Sequence, residues 1–159
     1  MLFAEILYSD EYFFYSGDPA SRWLPDLNPE AGRFDWAVVD SSKDRVIGYM
    51  SYRIDTTCSN VYSFGIYCFD KGNPIFGRDV GNLFKKLVKY YHRIEWRMIQ
   101  GNPVQRHYDK LLEYYGKHGF YTNRVFLHDR CREENGTWHG EFLYEICNGL
   151  QTEEYPEDE

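Results

Sequence analysis

The chain opens on an alternating apolar stretch, LFAEILY (2–8), the pattern of a first strand. The alternation then dissolves into a polar and aromatic segment up to about Gly32, where Pro19, Pro25 and Pro29 forbid a long helix and short helices and loops are expected. FDWAVVD (34–40) and RVIGYMSYRID (45–55) are rich in β-branched and aromatic residues and are joined by SSKD, a tight-turn composition, so they predict an antiparallel hairpin. NVYSFGIYCFD (60–70) reads as a third strand, with Gly65 in its interior where a missing side chain marks a bulge or a close backbone approach.

From Val80 the period changes. Apolar residues fall at Val80, Leu83, Phe84, Leu87, Val88 and Tyr91, with Arg78, Lys85, Lys86 and Lys89 between them, the spacing of a helix of about three turns. RIEWRMIQ (93–100) returns to a strand. GNP then places Asn102 as a cap and Pro103 in the first turn of a second amphipathic helix, which Val104, Tyr108, Leu111, Leu112 and Tyr115 carry and Gly116 or Gly119 ends. Asn135-Gly136 is a type I′ turn signal between two β-rich runs at about 120–131 and 138–147. The sum is a mixed α/β (α+β) domain over residues 1–150, a mostly antiparallel sheet with one parallel pair across the strand–helix–strand crossover, followed by an acidic disordered tail at 151–159.

Composition narrows the function. A chain of 159 residues fits one domain that needs no disulfide or metal staple. Its net charge of −7 argues against a nucleic-acid surface, which needs a basic stripe to displace counterions, and favours cationic small molecules or basic peptide ends. Cys58, Cys68, Cys131 and Cys147 are widely spaced and read as reduced thiols of a cytoplasmic protein, and His92, His107, His118, His128 and His139 lie on separate elements, so no metal site is expected. No stretch approaches the ~20 apolar residues of a membrane span, and no basic leader precedes the apolar start. Aromatic residues make up 19%, fifteen of them tyrosines, which points to a core and a cleft lined by flat rings.

GNPIFGRDVGNLF (72–84) holds the candidate chemistry. A strand that passes through a glycine-bearing turn into a helix leaves backbone N–H groups converging where the helix dipole favours negative charge. Gly77 and Gly81 would let a phosphate come close and Arg78 would add a charged contact; the competing reading is an ordinary capped helix. No Gly-Lys-Ser/Thr follows, and the spacing is not that of a dinucleotide fingerprint.

Three places, FGRDVGNLF (76–84), Asn102 after its strand, and HYDKLLEYYGKHGF (107–120), set in this order of elements, resemble the GNAT superfamily of acetyl-CoA-dependent N-acetyltransferases over about residues 34–147. The first is similar to that family's pyrophosphate loop Arg/Gln-x-x-Gly-x-Gly/Ala, with Phe76 and Asp79 standing where the family usually has Arg/Gln and Gly; the last is similar to the helix that ends in Gly-Phe. The resemblance implies two central parallel strands that splay apart, with the pantetheine arm of acetyl-CoA along Ile66, Tyr67, Cys68 and Phe69. It puts the pyrophosphate on Phe76, Gly77, Arg78, Asp79, Val80, Gly81 and Asn82, and Asn102 beside the cofactor.

The family's mechanism, direct attack of a neutral amine on the thioester, needs a tyrosine to protonate the leaving thiolate. Tyr108, six residues after Asn102, and Tyr115, five before Phe120, both meet the family's spacing, and Tyr108 is preferred because the thioester should lie near the strand-to-helix loop. Glu95 or Asp70, or a water held by one, would be the base. The implied partners are acetyl-CoA and a primary amine of a small molecule or peptide, a cationic one by the chain's acidity, with no nucleic acid, no membrane and an open oligomeric state, a dimer included. The alternative is a catalytically altered CoA-binding module on the same fold, for which Phe76 and Asp79 are the motive, or a protein-interaction module, for which the tyrosine-rich composition and acidic tail are.

Overall fold

A computed structural model describes Ser9 and residues 30–149. The strand expected at 2–8, the irregular segment up to residue 29 and the tail at 151–159 lie outside the described residues. The described elements are β1 (Arg33–Asp40), β2 (Arg45–Asp55), β3 (Asn60–Cys68), α1 (Pro74–Tyr90), β4 (Arg93–Ile99), α2 (Gln105–Lys117), β5 (Tyr121–Arg132) and β6 (Trp138–Cys147).

The six strands form one sheet in the order β1-β2-β3-β4-β6-β5, antiparallel everywhere except between β3 and β4. The β3–α1–β4 crossover makes that single parallel pair, as a helix-bearing connection between neighbouring strands must. It is short: only Asn60 opposite Arg93 and Val61 opposite Ile94 are in register, and past them the strands part. On its other side β3 stays paired with β2 through a bulge, where Ser51 faces Gly65 and Arg53 faces Tyr62, so that Tyr52 opposes both Ser63 and Phe64. Ser63 takes the left-handed conformation there (φ +52°). The irregularity expected around Gly65 thus falls on the two residues before it, and the extra residue turns β3 as it leaves β4.

Both helices pack on one face of the sheet. Phe84, Leu87 and Val88 from α1 and Tyr115 from α2 meet Met50, Tyr52, Val61, Phe64, Ile94, Trp96, Met98, Tyr144 and Ile146 from the strands. Phe84 joins the two helices, edge-on to Trp96 (5.5 Å between centroids) and tilted against Tyr115 (6.1 Å). The opposite face of the β4–β6–β5 half is ionic: Arg93 bridges Glu95 (2.8 Å) and Glu145 (3.0 Å), and Arg97 and Arg130 reach Glu141. No helix among the described residues is long and apolar enough to cross a membrane.

Three boundaries differ from the sequence expectation. The first helix starts at Pro74, not Val80: Asn73 accepts the Ile75 N–H on Oδ1 (3.1 Å) and Pro74 fills the first helical position, where its missing N–H leaves nothing unpaired. In α2, Asn102 Oδ1 takes the Val104 N–H (3.0 Å) in a turn that precedes the helix, which starts at Gln105. The β5–β6 turn is not type I′, because Gly136 is left-handed (φ +90°) and Asn135 is not; Gly136 N–H returns to Glu133 O (3.0 Å), and Asn135 Oδ1 accepts from Thr137 N–H (2.8 Å).

Between the two candidates, Gly119 ends α2. It is left-handed (φ +84°) and donates to Gly116 O (3.3 Å), Phe120 N–H returns to Tyr115 O (3.1 Å), and the Phe120 ring meets Tyr115 edge-on at 5.2 Å. Those two bonds and that apolar contact make a Schellman ending, which gives the Tyr-Tyr-Gly-Lys-His-Gly-Phe stretch its physical reason.

Candidate functional site

The parting of β3 and β4 leaves two strand edges facing a wedge. Phe69 N–H donates to Ile47 O (2.9 Å), and Tyr67 and Gly65 stand opposite Tyr49 and Ser51 in the same register, so these odd-numbered residues turn their backbone groups toward β2. Successive strand residues alternate, which turns the N–H and C=O of Ile66 and Cys68 toward the wedge. Of the four residues expected to line it, Ile66 and Cys68 therefore present backbone there, and Tyr67 and Phe69 do not. The Tyr67 ring instead tilts against Tyr49 (5.8 Å). Burial pushes the Cys68 thiol up.

At the mouth of the wedge α1 begins. Phe76 packs its ring on the backbone of Gly48 in β2, so closely that a Cβ at Gly48 would stand 2.2 Å from the ring. Gly77, Arg78, Asp79, Val80, Gly81 and Asn82 all lie within α1, and from Arg78 onward their N–H groups point back along the helix to the carbonyl four residues earlier. With Pro74 lacking an N–H, Ile75 capped by the Asn73 side chain and Gly77 N–H returned to the Asn73 carbonyl as the first intrahelical bond, the amide left to a ligand in the first turn is that of Phe76. Arg78 pairs with its neighbour Asp79 (2.8 Å) in solvent.

Two ionised carboxylates already attend this end. Asp40, 2% exposed, accepts from the Ser42 hydroxyl (2.6 Å), the Ser42 N–H (3.1 Å) and Asn73 Nδ2 (3.4 Å); the Ser42 bond above all holds it below the usual carboxylate range against its burial. Asp70 accepts from Asn73 Nδ2 (2.9 Å) and pairs with Arg45, and the Asn73 bond leads in lowering it. Both charges favour the start of a helix.

The other arm of the wedge is aromatic. Trp96 on β4 stacks flat on Tyr144 of β6 (5.2 Å, 4°), and Tyr108 from the first turn of α2 tilts over both, 5.4 Å from Trp96 and 5.6 Å from Tyr144. Below them Asp109 Oδ1 accepts from Arg124 (2.6 Å) and from the Tyr144 hydroxyl (3.3 Å). Burial, then the Asp109 charge, pushes the Tyr144 phenol up to about 12. Tyr115 is buried two helical turns further on along the same side, between Phe84 and Phe120, and burial raises its phenol.

Tyr108, Trp96 and the wedge are thus brought together, while Tyr115 belongs to the core between the helices. Glu95 is the next strand residue before Trp96 and points to the opposite, ionic face, held by Arg93. Asn102 sits at the end of β4, its N–H on Ile99 O (3.2 Å) and its side chain occupied in the turn into α2. The sequence reading missed Asn73, Trp96, Tyr144 and the Asp109–Arg124 pair. The first had a signal, Asn-Pro at the entry to an apolar helical run.

A six-stranded sheet with one parallel pair forked beyond its second residue, and both helices on one face, has counterparts among solved structures. A protein of T. thermophilus assigned to the acetyltransferases superposes with a TM-score of 0.60 at 18% identity, over 92% of this chain and 82% of that one. The fold is that of the GNAT acetyltransferases. A GCN5-related N-acetyltransferase from Brucella melitensis matches the same GNAT framework at TM-score 0.57 and 17% identity, over 92% of this chain and 69% of that one. The ribosomal-protein-S5-alanine acetyltransferase of Vibrio fischeri matches it at 0.55 and 23%, over 75% and 63%. No family model matches the sequence, and no curated protein matches it.

Proposed function

We propose that the chain is an N-acetyltransferase that takes acetyl-CoA into the β3–β4 wedge and passes the acetyl group to a primary amine of a small molecule or peptide. The observation that carries this reading is the fork itself: two parallel strands that pair at two positions and then part. Such edges leave N–H and C=O groups of Ile66 and Cys68 to be satisfied by something other than a strand. The amides of a pantetheine arm fit that need.

In this reading Ile66 and Cys68 bind the arm through their backbone, and one of their N–H groups faces the thioester oxygen as negative charge develops on it. The pyrophosphate lies at the first turn of α1, against the Phe76 amide, with the Gly77 backbone close by and Arg78 and Asn82 as side-chain partners. Gly77 and Gly81 support this placement. Glycine inside a helix costs about 0.5–1 kcal/mol relative to alanine, yet a Cβ at either would meet nothing within 4 Å among the described residues, so no packing among those residues requires them. Attack of the neutral amine forms the C–N bond and breaks the C–S bond. Tyr108 gives its hydroxyl proton to the departing sulfur, and the surplus proton on nitrogen passes to water or to Glu95 on the far face. The net charge of −7 favours a cationic acceptor.

The second reading, a module that binds CoA weakly and has lost catalysis, is favoured by Asp40, Asp70 and Asp79 around the start of α1, charges that repel a diphosphate. One experiment separates the two. Thermal unfolding of the purified chain is followed across a CoA series, and thiol release from acetyl-CoA is measured with polyamines, lysine peptides, N-terminal peptides and neutral amines. Stabilisation with thiol release supports the transferase, stabilisation without release on any amine supports the second reading, and no stabilisation at millimolar CoA overturns both.

A further inference from the structure

Trp96 is 2% exposed, and its indole Nε1–H has no hydrogen-bond partner among the described residues. A buried donor left unpaired is rare and costs about as much as a lost hydrogen bond, so its retention requires a reason. The ring stands two residues beyond Ile94, the last β4 residue paired with β3, and therefore in the open part of the fork. It is fixed there by Tyr144 beneath it, Phe84 of α1 at its edge and Tyr108 of α2 above. The other buried side-chain atom without a partner among the described residues, Asn60 Oδ1, lies at the closed end of the same fork. Both residues stand on the two strands that form the fork, one at its closed end and one beyond its last pair.

We infer that the Trp96 indole N–H donates a hydrogen bond to a carbonyl oxygen of the acyl-pantetheine arm when that arm enters the fork, which makes Trp96 a cofactor-contacting residue. This inference rests on acetyl-CoA being the occupant. It assigns to a side chain on β4 a contact that backbone edges alone do not supply, and it accounts for an indole at a position where phenylalanine would fill the ring cluster without an unpaired donor.

The test uses the full chain with CoA and acetyl-CoA as probes. Calorimetric titration of Trp96→Phe should show CoA binding about tenfold weaker than wild type, the size of one neutral hydrogen bond. In the wild type, the assigned Trp96 indole N–H resonance should move downfield and exchange more slowly on CoA binding. The resonance decides the matter even where Trp96→Phe folds poorly. If wild type binds CoA while this resonance stays in place, the inference is overturned, and a weaker Trp96→Phe then reports lost packing. If wild type takes up no CoA, the cofactor reading fails and this inference goes with it.

Discussion

Alanine at Gly77 and Gly81 should strengthen the protein and weaken its hold on CoA, two effects of opposite sign from one pair of methyl groups. Both residues lie within α1, one turn apart, neither has a positive φ, and a Cβ on either meets nothing within 4 Å among the described residues. Alanine then gains about 0.5–1 kcal/mol at each site through helix propensity and a less flexible unfolded chain. The double variant gains about 1–2 kcal/mol, and at roughly 2–4 °C per kcal/mol for a chain of this size its midpoint rises by about 2–8 °C. A phosphate that reaches the open Phe76 amide across those two gaps loses its approach. The charge-assisted bond given up is worth about 1.5–3 kcal/mol, so CoA affinity falls by about 10- to 100-fold. Scanning calorimetry reads the first effect and isothermal titration the second. Variants that are stabilised yet bind CoA as wild type does would refute the phosphate placement, and variants that melt early would refute the open-space argument.

Tyr108→Phe keeps the ring contacts at 5.4 Å and 5.6 Å, so it should still fold cooperatively while thiol release drops by about 10²- to 10⁴-fold; an unchanged rate removes Tyr108 as the acid. Gly48→Ala puts a methyl group into the Phe76 ring and 2.9 Å from Tyr67 O, an overpacking of about 1–3 kcal/mol that Phe76→Ala should partly relieve in the double variant; strict additivity in urea melts would show that the two do not touch. For Tyr144 the folded pKa of about 12 lies above the ordinary value of 10, so the folded state keeps its proton longer; its contribution is intact below pH 10 and is lost as pH rises toward 12. Urea midpoints of Tyr144→Phe should therefore fall less steeply than those of wild type over that range, and parallel slopes would contradict the assignment.

Much of the architecture could be read from β-former runs and period: β4 alternates and records the face it buries against the helices, whereas β2 buries four consecutive residues, Ile47 to Met50, so that only its β-rich composition marks it as a strand. Errors fell at ends, where a few local bonds decide. Asn135-Gly136 signalled the hairpin, and the turn type went the other way because Asn135 closes a side-chain bond to Thr137 N–H without turning left-handed. Tyr115 and Tyr108 are equivalent by spacing, and only the third dimension separates them: one lies between Phe84 and Phe120, the other over Trp96 at the fork.

The start of α1 shows why the cofactor contacts resisted a sequence reading. Two glycines suggested a loop, so the helix was expected to begin after the first of them; Asn73-Pro74 carries a stronger instruction, because it supplies an acceptor for Ile75 N–H and places a residue with no N–H where one would go unpaired. Once the helix starts there, glycine has no conformational work to do at 77 and 81, and both positions lie within α1 with open space beside them. A motif read as a string cannot distinguish glycines that bend a chain from glycines that clear a surface. The distinction lies in φ and in what surrounds the missing Cβ, and here both point to clearance.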